Sequence, residues 1–229
     1  MNFFSKLKQR SRKGIYYTNS ALKDLLPSKI YQNRLNSLLK KAEKYELKYI
    51  WERVNYYNRQ NEYFTINSDT KYNTQIAPVV SESEFNRKKI TSISEFNVKQ
   101  AKHHTYFYDL KKYLKYFNSE LKISYVFGDV EFIPDTPAIV KSRPINDHNQ
   151  NSILINLDKN RHFNFIHDRR KFEDKKDMIV WRGGAYRKHR RVIMEKYYDN
   201  KLCDIGQTNK PKENVPWQKK YMGIYNQLK

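Results

Sequence analysis

Cysteine is nearly absent from this 229-residue chain: Cys203 stands alone, which excludes an intrachain disulfide and argues against a cysteine-based zinc site. No apolar run approaches the roughly 18 to 20 residues of a membrane-spanning helix. The opening Met1-Asn2-Phe3-Phe4-Ser5-Lys6 lacks the apolar core of a secretory signal, so a cytoplasmic protein is expected. Glycine is scarce at six residues, so where two stand together, at Gly183 and Gly184, the backbone is expected to turn sharply or to admit a ligand closely. Acidic residues are outnumbered 24 to 45 by Lys and Arg.

What the chain has is positive charge and aromatic rings. The formal net charge of +21 suits a polyanionic partner such as nucleic acid, an anionic membrane surface or a phosphorylated glycolipid. A compositional explanation competes, because 22 Asn beside many Lys, Tyr and Ile is the bias of an A/T-rich genome. A hydrophobic content of 38%, with 12 Phe and 19 Tyr, is enough for a packed core. The basic residues are spread along the chain and match no nucleic-acid-binding motif, so a nucleic-acid-binding protein is the alternative and no nucleic acid is expected as partner.

In chain order, residues 1–27 are basic and interrupted by Gly14 and Pro27; they read as an interfacial segment on an anionic bilayer or as a frayed terminus. Ser28 is positioned as an N-cap. From Tyr31 to Tyr57 apolar residues at spacings of three and four predict one long amphipathic helix. Residues 58–93 read as irregular, with the apolar run at 76–80 a loop or edge strand because of Pro78. His103 and His104 lack further metal ligands at helical spacing and read as ordinary polar residues. Tyr106, Leu110, Tyr113, Leu114 and Phe117 mark the next helix, and a strand over 121–127 follows it. Short strands are expected near Ile139, over 151–157, over 178–181 and over 202–205. Val192, Ile193, Tyr197 and Tyr198 give one helix its apolar face, and Trp217, Tyr221, Ile224, Tyr225 and Leu228 begin a last one.

Two places carry chemistry. Gly128-Asp129 closes a strand, where ligands gather in open α/β sheets; the plain alternative is a turn aspartate. Trp181-Arg182-Gly183-Gly184 links a strand to a helix whose opening turn holds Arg187, Arg190 and Arg191. Arginines there oppose the helix dipole, and a bound diphosphate, held by backbone N–H groups and guanidinium forks, would explain them. Solvated arginines on a plain strand-turn-helix are the alternative.

Four motifs occur in order: Gly128-Asp129, residues 140–145 with Ser142-Arg143-Pro144, the strand opening at Asn151, and Phe172 to Asp177 leading into the Trp181-Arg182-Gly183-Gly184 turn. From about Tyr106 to Leu228 the chain resembles the family 90 glycosyltransferases of the bacterial lipopolysaccharide-core branch, with residues 1–100 contributing little. The resemblance implies an α/β fold of GT-B-like Rossmann-type domains. Its implied divisions are a basic segment 1–27, an acceptor-side domain 28–174, and a donor domain from 175 that is truncated at 229, so that the chain alone is expected to be inactive. It further implies inverting transfer of a hexose from a nucleotide sugar, UDP-linked, to a lipopolysaccharide-core acceptor on the inner face of the bacterial inner membrane. Asp129 matches the family's base, and Arg182, Gly183, Gly184, Arg187 and Arg190 match its nucleotide-sugar site. Arg143 and Asn151 are placed in the acceptor cleft. No cofactor and no metal are implied, since the Asp-Xaa-Asp motif of metal-dependent transferases is missing and its nearest approach, Asp129-Val130-Glu131, has an acid expected to be exposed.

Overall fold

The computed structural model describes residues 3–60, 64–66, 88–101, 104–162, 167–210 and 214–228. The apolar run at 76–80 and His103 lie outside them. The chain divides into two compact units, residues 15–164 and residues 1–14 with 165–229. Both are built from helices and mainly parallel strands, an α/β fold as expected.

At the N-terminus α1 (Phe3–Leu25) runs through Gly14 without a break, so this is neither a frayed end nor a helix divided by glycine. One glycine costs an α-helix only about 1 kcal/mol. The long helix predicted from periodicity is two, α2 (Ser28–Ala42) and α3 (Leu47–Tyr57). Apolar spacing continues across the turn at 43–46 and conceals it. Ser28 is the first helical residue; Pro27 occupies the N-cap and supplies no side-chain bond. Neither α2 nor α3 contains a buried residue.

The sheet of the 15–164 unit has the order β1 (Lys89–Ser92), β2 (Lys122–Val126), β3 (Ala138–Val140), β4 (Ser152–Leu154). β1 is antiparallel to β2, whereas β2, β3 and β4 are parallel. β1 falls in the stretch read as irregular: Lys89-Ile90-Thr91-Ser92 has a single aliphatic residue and gains strand geometry by pairing with β2. Before β2 come the one-turn α4 (Val98–Ala101) and α5 (His104–Leu114).

Alternation along β2 sends Ile123 and Tyr125, with Phe127 just beyond, to one face and Val126 to the other. The first face forms an aromatic core with Phe96, Phe107 and Leu110, in which the rings of Phe96 and Phe107 are 5.1 Å apart and those of Tyr125 and Phe127 4.5 Å. On the second face Val126 packs with Val130, Ala138 and Val140. Ser124, a polar-face residue by pattern, is also buried because β2 is covered on both sides.

In the other unit β5 (Ile179–Gly183), α7 (Lys188–Tyr197) and β6 (Cys203–Gln207) form a βαβ unit whose strands pair in parallel from Ile179↔Cys203 to Gly183↔Gln207. Met194 is the buried residue of α7, while Val192 and Ile193 are about half exposed, which reverses the expected apolar face. Residues 217–219 do not begin a helix. They lie alongside β6, with Gln207 N–H donating to Trp217 O and Lys219 N–H to Gln207 O. That approach depends on Gly206, where a Cβ would sit 2.8 Å from the Trp217 carbonyl oxygen. Among the described residues near the C-terminus, α8 (Ile224–Gln227) is the helical segment.

Candidate active site

The carboxyl ends of β2, β3 and β4 converge on one cleft. Gly128 takes a φ of 97°, open to glycine and strained for other residues, and so turns the chain off β2 to present Asp129. The loop is held by Ser142 just past β3: its Oγ accepts from Val130 N–H at 3.1 Å and donates to Val130 O at 3.3 Å. Asp158, after β4, has a φ of 60°, a left-handed conformation that aspartate tolerates. It is followed by α6 (Lys159–His162).

Asp129 forms an ion pair with Lys141, the first residue after β3, and its side chain remains 76% exposed. The hydrogen bond and charge of Lys141 hold the Asp129 carboxyl below the usual carboxylate range, with a smaller contribution from Arg161. Burial pulls the Lys141 ammonium down, but hydrogen bonds to Asp129 and Tyr106 outweigh it, so its pKa is raised. His162 Nε2 lies 3.4 Å from Lys141 Nζ and 3.6 Å from Asp158 Oδ2. The open cavity in front of Asp129, about 590 Å³, is lined by Tyr17, His104, Tyr106, Asp158 and Arg161 among others. This arrangement presents an ionised carboxylate beside hydroxyl and imidazole groups able to hold a polyol.

Lys141, Arg161 and His162 stand at or beside this cleft without a sequence motif that marks them. Lys141 could have been found, since it follows a strand that pairs in parallel with the one leading to Asp129, yet parallel pairing is not written in either strand. Glu131 is exposed, as expected. Among the described residues no group of three or more His, Cys, Asp or Glu could hold a metal ion.

Arg143 and Asn151 do not line the Asp129 cleft. Arg143 donates to Ser152 O at 2.9 Å and to Tyr56 O, with its guanidinium over the Tyr56 ring. The Asn151 amide donates to Pro134 O and Asp135 O. Both side chains tie loops together, Arg143 through backbone carbonyls and Asn151 through carbonyls and the Gln60 amide, which donates Nε2 to Asn151 Oδ1 at 3.3 Å.

The residues assigned to the nucleotide lie in the other unit. Arg182 is only 5% exposed and is directed at Asp204, with Nη2 2.7 Å from Asp204 Oδ1. The same oxygen receives Lys219 Nζ at 2.8 Å. Lys219 and then Arg182 hold the Asp204 carboxyl below its ordinary range. Neither Gly183 nor Gly184 has a positive φ; their lack of a Cβ makes room for aromatic rings, Trp181 at 2.6 Å and Tyr186 at 2.4 Å from the ideal Cβ positions. Arg187 is the exposed N-cap of α7 and makes no side-chain cap bond. Arg190 donates Nη1 to Gly184 O at 2.9 Å, and Arg191 uses Nε and Nη2 on the carbonyls of Ala185 and Tyr186. Gly184 and Arg190 are therefore brought together, with the exposed Arg190 guanidinium fixed at the turn.

Over 179 residues the sequence is 37% identical to the O-glucosyltransferase LpsA of Dichelobacter nodosus, a match covering 78% of this chain and 49% of that protein. The chain is homologous to a bacterial O-glucosyltransferase. It spans about half the length of LpsA. No protein-family model matches the chain, and no solved structure does. Since only 124 residues run from Tyr106 to the last residue, the 179-residue match to LpsA must include sequence before Tyr106.

Proposed function

We propose that this chain carries the machinery of a family 90-type glycosyltransferase that moves a hexose from a UDP-linked sugar to a lipopolysaccharide-core hydroxyl with inversion. Support comes from the LpsA homology joined to one geometric observation: Asp129 stands at the carboxyl end of β2, ionised and facing an open cleft. In the proposed reaction the acceptor hydroxyl enters this cleft and displaces Lys141 from one Asp129 oxygen. Losing that partner raises the basicity of the carboxylate as the hydroxyl attacks the anomeric carbon, and Asp129 takes the proton. The departing UDP is a good leaving group and needs positive charge rather than a general acid. Arg190, held by the Gly184 carbonyl, keeps further N–H groups for a phosphate oxygen, and neither step calls for a metal or a cofactor.

The donor assignment is tested by titrating an active, full-length form with UDP and UDP-hexoses by calorimetry. Arg190→Ala should weaken UDP binding by about 1.5 to 3 kcal/mol, the range of a hydrogen bond to a charged group. Unchanged affinity would remove Arg190 from the donor site.

The acceptor would reach the enzyme at a membrane surface. No helix among the described residues is long and apolar enough to cross a membrane. We assign the contact with the inner face of the inner membrane to α2 and α3, whose Leu38, Leu39, Leu47, Trp51 and Val54 are 42 to 69% exposed among lysines. Vesicles containing anionic phospholipid should co-sediment the chain at low salt, and Trp51→Glu should reduce the bound fraction at least fivefold. Equal sedimentation of the two proteins would move the contact elsewhere.

A further inference from the structure

A second, smaller cavity of about 260 Å³ lies in the same unit as the Asp129 cleft, between α1, the start of α2, α5 and the first residue of α6. Its walls include Lys23, Lys111, Lys112, Lys115 and Lys159 against Asp24 and Asp109, a formal excess of three positive charges in a partly enclosed space. Two of the lysines are already used by the fold. Lys111 donates to the carbonyls of Ile93 and Phe96, and Lys115 to those of Lys23, Asp24 and Leu26, where it closes the end of α1. Asp109 is also engaged, accepting from Tyr16 Oη at 2.9 Å and from Lys159 N–H at 2.8 Å.

Lys112 and Lys159 are different. Lys159 Nζ donates to Tyr113 Oη at 2.7 Å, and Lys112 Nζ lies 4.7 Å over the centre of the same ring. Neither ammonium forms an ion pair among the described residues, although the two lie near each other at the cavity wall. Burial, and then the neighbouring Lys159, pull the Lys112 ammonium down to about 8. Asp109 is the carboxylate whose charge acts on both, and it is already hydrogen-bonded to Tyr16 and to Lys159 N–H, so the two adjacent, partly desolvated cations keep an excess of positive charge that an anion entering the cavity would offset.

We propose that this cavity is a phosphate-binding site, in which Lys112 and Lys159 share the oxygens of one phosphate or phosphomonoester. Its volume is below the 300 to 1,000 Å³ usual for drug-sized ligands, which suits a phosphoryl group with little attached. Lys23 adds a third cation from α1, and Tyr113 orients the pair. The proposal does not depend on the transferase reading, because no residue of the Asp129 ion pair takes part.

Calorimetric titration of the whole chain with inorganic phosphate, and separately with glucose 6-phosphate, tests it. Lys112→Gln should weaken phosphate binding at least tenfold and, by relieving the repulsion with Lys159, leave the thermal midpoint unchanged or raise it. Lys159→Gln should weaken binding similarly. Glucose 6-phosphate binding as tightly as phosphate marks a phosphomonoester site, and phosphate binding alone marks a site for the free ion. Absence of phosphate binding, or equal affinity in wild type and both variants, overturns the proposal. So does a lowered midpoint in Lys112→Gln with unchanged affinity, which would make Lys112 a structural residue.

Discussion

In an active, full-length form of the enzyme, Asp129→Asn is expected to lower transfer turnover about 100- to 10,000-fold while leaving UDP affinity and the unfolding midpoint near wild type. The amide keeps the shape of the side chain but cannot accept the acceptor's proton. A fold change is not expected, because the side chain is mostly exposed and the loop is held by Gly128 and by Ser142 on Val130, not by Asp129. The pH profile is a second readout. With Lys141 holding the Asp129 carboxyl below its ordinary pKa, the free enzyme keeps an ionised base through the ordinary carboxylate range, and activity falls only as pH drops through the depressed value. Lys141→Met removes the first cause of that depression and should move the acid limb of kcat/KM upward in pH. Asp129→Asn turnover within a few fold of wild type would show that another group takes the proton.

Asp204→Ala is expected to cost about 2 to 3 kcal/mol of unfolding free energy, read by denaturant titration. The substitution leaves the Arg182 guanidinium, 5% exposed, without its carboxylate partner. Breaking a fully buried pair costs more, roughly 3 to 5 kcal/mol, and the lower figure allows for the 29% exposure of Asp204. The effect has a pH signature with a definite sign. The folded-state pKa of Asp204 lies below the unfolded value near 3.9, so its contribution is complete above that value and disappears as pH falls through the folded pKa. Wild type and Asp204→Ala should therefore differ at neutral pH and converge in acid. A loss under 1 kcal/mol at neutral pH would mean that Arg182 does not depend on Asp204, and would return it to the nucleotide as a free cation.

Those two residues mark where sequence reasoning reached and where it stopped. The place of Asp129 just past β2 was legible from local rules, since an alternating run predicts a strand and glycine followed by aspartate ends it; the role of base came only from the family resemblance, because Gly-Asp reads equally as a turn. Arg182 was legible as a position, but its ion pair was not. Its neighbour in the turn motif suggested a phosphate, yet its guanidinium meets Asp204, 22 residues away on the paired strand. The same limit applies to Arg143 and Asn151, whose partners are carbonyls of Ser152, Tyr56, Pro134 and Asp135.

The sequence by itself determined the alternating strand β2, the helix around Leu110, the strand-turn-helix at Gly183-Gly184 and the excess of cations, because each follows from spacing or composition within a few residues. Only the tertiary structure decided that periodicity from 28 to 57 breaks into α2 and α3, that Met194 rather than Val192 packs inward, and that Lys89–Ser92 becomes a strand. It also decided which cations act: Lys141 reaches Asp129 across parallel strands, Lys115 closes a helix end, and Lys112 lies beside Lys159 with neither in an ion pair among the described residues. A lysine's charge is a property of its sequence position, but the partner that uses the charge is set by packing between segments up to 92 residues apart, which no local pattern encodes.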